Sequence, residues 1–295
     1  MDLSEQITYS TVLIKAVNKD NICYQTGTGF IMILCQNKET KNNVKVLITN
    51  KHVIDGSDST ELELCQEDDD GNPIDTKTIV FRFKSSLWIS HPDPLVDLCC
   101  IPIDTICYNN QSVHSRCGGS CFVNFLSFDL IPSQEQLKTL FAFEEIIMIG
   151  YPTGLSDEYN HKPIVRRGIT ASHPLKDYRG KKEVLLDVAM FQGSSGSPVF
   201  IFNPCCFSTN NNRFNYGKRL YLLGVAYREF ITPNEEPHDL LDKIRKHLLK
   251  IDTSFPMNLA RMIKSEMILD FEKMLQDGRI KVDLDYSPPE PGTKE

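Results

Sequence analysis

Short apolar, β-rich segments recur through most of the chain, over 8–17, 28–35, 44–49, 78–83, 96–103, 145–150, 184–190, 197–201 and 220–227. Runs of this length, spaced by polar turns, predict an all-β core built as barrels or a sandwich. The clearest turn is 67–73, where Asp70 and Gly71 form a strong hairpin signal. Helical spacing replaces this pattern in three places. The segment 133–143 opens with a capping box, Ser133 and Gln136, ahead of Leu137, Leu140 and Phe141, and predicts a short helix linking two β-rich halves. Segments 239–250 and 258–275 read as helices, the second with Leu259, Met262, Ile263, Met267 and Phe271 on one face, a stripe suited to core packing. Residues 287–295, rich in Pro and polar side chains, read as a disordered tail.

Length and composition narrow the class. With 295 residues, 41% hydrophobic and 24% charged, the chain can bury a sizeable core and fold. The formal charge is −7 and the basic residues are scattered, so no stripe exists to neutralise successive phosphates and nucleic acid is not an expected partner. No apolar run is long enough to span a bilayer and no export signal opens the chain, so neither a membrane nor a secretory setting is expected and the protein reads as cytoplasmic. Ten cysteines without regular spacing fit reduced thiols, with Cys99 and Cys100 acting as small core residues. His114, Cys117 and Cys121 give three irregularly spaced ligands, too few for a structural zinc site, and the acidic turn lacks the calcium-loop end ligands because Gln66 and Lys77 hold those positions. No metal or cofactor is expected.

Three short stretches carry chemistry. Gly193-Ser194-Ser195-Gly196-Ser197-Pro198 sits between two strand-like runs and puts a serine on a glycine-flanked turn. Such a turn exposes Oγ for attack while its backbone N–H groups converge on an oxyanion. His52 follows directly on the apolar strand Leu47-Ile48-Thr49, where a rigid support can hold a general base, whereas His91, His114 and His161 lie in turn-rich sequence and are expected to face solvent. Asp97 lies among Leu95, Val96, Leu98, Cys99 and Cys100, an apolar setting that a carboxylate tolerates when it orients an imidazole. Taken singly, each has a plain structural reading: a Gly/Ser hairpin, a surface histidine, a capping aspartate.

Taken together, the order His, Asp, Ser, with Gly27-Thr28-Gly29-Phe30, Thr49 to Val53, Asp97-Leu98, Gly150-Tyr151-Pro152, Arg167-Gly168-Ile169 and Gly193 to Pro198, resembles the trypsin-like serine peptidases, most closely their HtrA-type bacterial branch. The resemblance spans 8–227. It implies two six-stranded antiparallel β-barrels with a cleft between them, a triad of His52, Asp97 and Ser195, and an oxyanion hole from the Gly193 and Ser195 N–H groups. It also implies Ala189 at the base of the primary specificity pocket and Tyr227, Arg228 and Glu229 as the strand that pairs with substrate. The corresponding division is 1–128 for the N-terminal barrel, 129–143 for a linker, 144–230 for the C-terminal barrel and 231–295 for a helical extension and tail. Ser194 replaces the Asp that grips a newly cleaved N-terminus in digestive members, so activation by that route is not expected. The chain after Tyr227 is too short for the peptide-binding domain of the HtrA branch.

The expected activity is therefore peptide-bond hydrolysis on a protein or peptide substrate, with a regulatory protein partner possible at the C-terminal helices. Two rivals stand beside it. An inactive or partner-regulated protease-like module would keep the cleft and lose the chemistry, and an α/β-hydrolase esterase would need glycine where Ser197 stands and its acid and histidine after the serine.

Overall fold

The computed structural model describes residues 1–37, 42–103, 120–211, 213–231 and 256–280. Helix α1 (Leu3–Tyr9) is capped by Asp2, whose carboxylate accepts from the Ser4 and Glu5 N–H groups, so the strand expected from residue 8 begins later, at β1 (Thr11–Val17). There follow β2 (Cys23–Asn37), β3 (Asn42–Thr49), the single-turn helix α2 (Lys51–Ile54), β4 (Ser59–Glu67), β5 (Pro73–Lys84), β6 (Ile89–Ser90), β7 (Cys99–Pro102) and β8 (Ser120–Cys121). Helix α3 (Gln134–Lys138) carries the predicted capping box: Ser133 Oγ accepts from the Gln136 N–H and Gln136 Oε1 accepts from the Ser133 N–H. The second half contains β9 (Glu145–Gly150), β10 (Ile164–Thr170), β11 (Glu183–Asp187), β12 (Pro198–Asn203), β13 (Cys206–Ser208), β14 (Phe214–Tyr216), β15 (Arg219–Ile231), β16 (Pro256–Lys264) and helix α4 (Leu269–Gln276).

Strands β9, β10, β11, β16, β15 and β12 close into a six-stranded antiparallel barrel. The N-terminal strands instead form an eight-stranded sheet in the order β5-β4-β1-β2-β3-β7-β6, with β8 pairing β4. Two closed barrels were expected; among the described residues strand pairing closes only the C-terminal one. The N-terminal path ends at β6, which has two residues and cannot carry a ladder onward. The β4–β5 hairpin turns as predicted, with Gly71 at φ 77° and Asp68 Oδ1 accepting from the Asp70 and Asn72 N–H groups.

The predicted helix over 258–275 is corrected in its first half. Residues up to Lys264 are the barrel strand β16, flanked by ladders to β11 and β15, and helix starts only at Leu269 after a 3-10 turn over Ser265–Ile268. Ala260 and Met262 enter the barrel core while Arg261 between them does not, a period of two. A run such as Leu-Ala-Arg-Met-Ile fits both periods, and two waiting ladders decide for the strand. The helix predicted over 239–250 and the tail at 287–295 lie outside the described residues.

Three apolar cores result. One fills the N-terminal sheet around Ile14, Leu47, Phe81 and Trp88, and another fills the closed barrel around Met148, Leu186, Val199 and Met262. The third joins the halves, packing Phe30, Met32 and Ile48 against Phe200, Val225 and Ile263 and taking in Phe271 and Leu275 of α4. Each fully buried side chain of this kind contributes about 1.5–3 kcal/mol. Cys99 and Cys100 sit in these cores at 0% exposure, as expected, and burial raises both thiols.

Candidate active site

Strand β3 ends at Thr49, Asn50 caps α2, and His52 is the second residue of that helix. Its Nδ1 lies 2.5 Å from Asp97 Oδ2, and its own backbone N–H donates to Asp97 Oδ1 at 3.1 Å. Asp97 is fixed in turn from its backbone: Asn50 Nδ2, itself buried, donates to the Asp97 carbonyl at 2.7 Å. The loop carrying Asp97 is closed by the His91 N–H to Leu98 carbonyl bond and braced by Lys51 Nζ on Asp93 O at 3.3 Å. With Nδ1 engaged by a carboxylate, the neutral ring carries its proton there and leaves Nε2 as the acceptor, the tautomer a general base requires.

His91 is not solvent-facing. It is 3% exposed, its Nδ1 accepts from the Asp93 N–H at 3.1 Å and its Nε2 faces Met267 O at 3.0 Å and Asp270 Oδ2 at 3.3 Å. Turn-rich sequence brought it to the surface on paper, but the C-terminal segment folds over it and supplies an acceptor. His161 is half-buried against Glu63, and His114 and Cys117 lie outside the described residues.

The nucleophile turn is held almost wholly by backbone. A 191–194 turn forms through the Ser194 N–H to Phe191 carbonyl bond, and the Ser197 N–H donates to Ser194 O. Gly193 and Gly196 adopt φ of 86° and 89°, a region that favours glycine. A Cβ at Gly193 would stand 2.5 Å from Tyr151 O, and one at Gly196 would fall on Thr28 O. Peptide planarity then sets the N–H directions. Gln192 O accepts from the Thr153 N–H at 2.5 Å and Ser194 O from the Ser197 N–H at 3.1 Å, so the Gly193 and Ser195 N–H groups point the opposite way from those bonds. Among the described residues neither has a backbone acceptor.

Thr28, on β2, ties the two halves at this point. Its N–H donates to Ser195 O at 2.8 Å, its Oγ1 donates to Gly193 O at 2.8 Å and accepts from the Tyr151 N–H at 3.0 Å, and its carbonyl accepts from Thr49 Oγ1 at 2.6 Å. In the sequence Thr28 and Asn50 contribute only to the resemblance; in the structure they act on backbone partners, which side-chain pattern does not reveal. Gly27 and Gly29 beside Thr28 leave room for Val53 and for Ile14 and Leu47, which is why that stretch is glycine-rich.

His52 and Asp97 line a cleft of about 760 Å³ together with Tyr227 and Arg228 of β15, Arg261 of β16 and Glu183 of β11. Ser195 does not itself line this cleft; its Oγ donates to the carbonyl of Tyr227, a lining residue, at 3.3 Å. Ala189 is half-buried and Glu229 partly so, and neither lines the cleft. Asp187 is exposed, paired in register with Leu259 and Ile169. Burial raises the Tyr227 phenol, Arg261 opposes the rise and Glu183 adds to it. The structure thus brings together a carboxylate-oriented imidazole and, on the other side of Tyr227, a serine hydroxyl next to two N–H groups without a backbone acceptor among the described residues.

No protein-family model matches the sequence. No curated protein matches it either. Among solved structures the chain is similar to the serine endoprotease from Yersinia pestis, at 14% identity and a TM-score of 0.49, with 93% of this chain and 65% of that chain covered. The chain thus spans about two thirds of that protein's length. No described helix is long and apolar enough to cross a membrane.

Proposed function

We propose that the protein is a serine endopeptidase that works through an acyl-enzyme, with Ser195 as nucleophile, His52 as general base and Asp97 holding the imidazole tautomer. The observation that supports this reading is the 2.5 Å His52–Asp97 contact, which leaves Nε2 as acceptor on a ring that lines the same cleft as Tyr227, the residue whose carbonyl Ser195 Oγ meets. In the reaction His52 takes the Ser195 proton as Oγ attacks the scissile carbonyl, the developing oxyanion is met by the Gly193 and Ser195 N–H groups, and His52 returns the proton to the leaving amine. Water then releases the acyl group by the same route.

The substrate lies along the free edge of β15. From Val225 backwards β15 pairs with β12, whereas from Tyr227 onward, among the described residues, strand pairing takes only its β16 side. Tyr227, Arg228 and Glu229 are therefore open to a peptide strand. Ala189 gives the primary pocket a small, uncharged base and favours a small or medium apolar residue before the scissile bond. No cofactor is needed for this chemistry. The proposed setting is the cytoplasm, with a regulatory protein partner proposed at the C-terminal helices.

One observation favours a gated form of the same enzyme. Ser195 Oγ donates to Tyr227 O, so that bond has to open before the hydroxyl gives its proton to His52, and a partner or substrate strand that occupies the Tyr227 carbonyl would release it. A fluorophosphonate probe with and without a peptide ligand separates the two: labelling of Ser195 in the resting protein favours the ungated enzyme, and labelling only with peptide favours the gated one. Ser195→Ala must abolish both labelling and hydrolysis. Hydrolysis retained by that variant would end the proposal.

A further inference from the structure

Arg228 and Arg261 stand directly opposite one another in the β15–β16 ladder, on the cleft side, next to the register shift that makes Tyr227 an extra residue. Like charges facing each other across an antiparallel pair disfavour it, and nothing in barrel closure asks for two guanidiniums here. Their local counter-charge is shared. Leu185 is the β11 partner of Arg261, which sets Glu183 diagonally to it, and Glu183 and Arg261 both act on the Tyr227 phenol. Lys181 and Lys51 line the same cleft, while of its other carboxylates Asp97 is committed to His52 and Asp55 stands beside α2. Cations thus outnumber available anions along this wall, in a chain whose net charge is −7.

The direction of a bound peptide follows from the ladder. Every strand pair of the barrel is antiparallel, and a peptide added to β15 in the same sense runs against it. With the scissile carbonyl at Ser195, beside Tyr227, the residues lying along Arg228 and beyond are those that precede the scissile bond. We propose that Arg228 and Arg261 form a carboxylate subsite selecting Asp or Glu at the second to fourth residue before the cleaved bond, so that the substrates are acidic on their N-terminal side. A guanidinium pair suits this role because each presents a planar fork of donors matched to a carboxylate. The inference rests on the peptidase reading for its orientation, and its test is built to fail separately.

The probe is a set of fluorescein-labelled octapeptides in which one position carries Asp, Glu, Gln or Lys. Binding to Ser195→Ala is read by anisotropy, and cleavage by wild type is read by mass spectrometry. The expected result is tighter binding of the Asp and Glu peptides than of the Gln peptide, by about fivefold to tenfold, weakening as salt rises. Arg228→Glu, at an exposed position, is expected to invert the order in favour of Lys, and Arg228→Lys to retain part of it. Equal binding of the Asp, Gln and Lys peptides, or a preference that Arg228→Glu leaves unchanged, overturns the subsite. An acidic preference confined to the residue immediately before the scissile bond overturns its placement. The peptidase reading is decided apart from this, by fluorophosphonate labelling of Ser195.

Discussion

The two sides of the candidate site are built by different means. On the Ser195 side, position is set by backbone: a turn of peptide carbonyls engaged by Thr153, Ser197 and Thr28, with two glycines at positive φ and a closed barrel behind them. On the His52 side, position is set by side chains just past the end of β3, an imidazole 42% exposed and a carboxylate 23% exposed, tied by Asn50. Backbone construction fixes where N–H groups point and tolerates no added atoms. Side-chain construction leaves the imidazole partly exposed while its carboxylate partner holds it.

That contrast predicts a graded series. The largest effect is expected on the backbone side, where Gly196→Ala places a Cβ on Thr28 O at a φ that alanine rarely adopts; a loss above about 4 kcal/mol in urea unfolding is expected, or no soluble protein. A well-folded, active Gly196→Ala would show that the turn is less constrained than the contrast requires. On the other side, Asp97→Asn is expected to leave the unfolding curve nearly in place and lower kcat by about 10⁴, because the imidazole loses its tautomer rather than its position. Asn50→Ala should fall between stability and rate. It removes one bond to the Asp97 carbonyl, and a drop in kcat of about tenfold to a hundredfold with KM little changed is expected, together with a stability loss of about 1–3 kcal/mol.

The smallest effect concerns a seam joining the halves. Asp75 of β5 accepts from Tyr9 Oη at 2.7 Å and from Lys162 Nζ at 2.8 Å; burial pushes its carboxyl up, but these bonds outweigh burial and hold it below the usual aspartate value. A depressed folded-state pKa contributes stability that is present above the unfolded value of about 3.9 and is lost as pH falls through the folded one. Asp75→Asn should therefore lower the thermal midpoint by about 2 °C at pH 7, with the gap closing below about pH 4. An unchanged midpoint at pH 7, or a gap that widens in acid, would show that the seam does not hold the halves together.

How much of this was legible follows the same division. His52, Asp97 and Ser195 stood out because each is a reactive side chain in an unusual local setting, and the hairpin at Gly71 and the capping box at Ser133 were local enough to read directly. Thr28 and Asn50 were not legible as functional residues, since a threonine or asparagine acting on a distant carbonyl has no sequence period. The start of β16 was misread because Leu259, Met262 and Ile263 fit a helical face as well as a strand, and only the open edges of β11 and β15 decide between them. Open ladders are tertiary facts. His91 failed for a related reason: what buries it is Met267 and Phe271, far away along the chain.

Strand β16 has one further consequence, for the timing of biogenesis. It leaves the ribosome well after the serine turn, yet it supplies the last stave of the barrel and, through Arg261, one bank of the groove beside His52. A nascent chain that has already exposed Ser195 still lacks that stave, and its neighbours β11 and β15 have unsatisfied edges. Assembly of the groove thus waits for β16, some sixty residues after the serine turn has been made, and the two banks beside His52 come together only when that strand pairs.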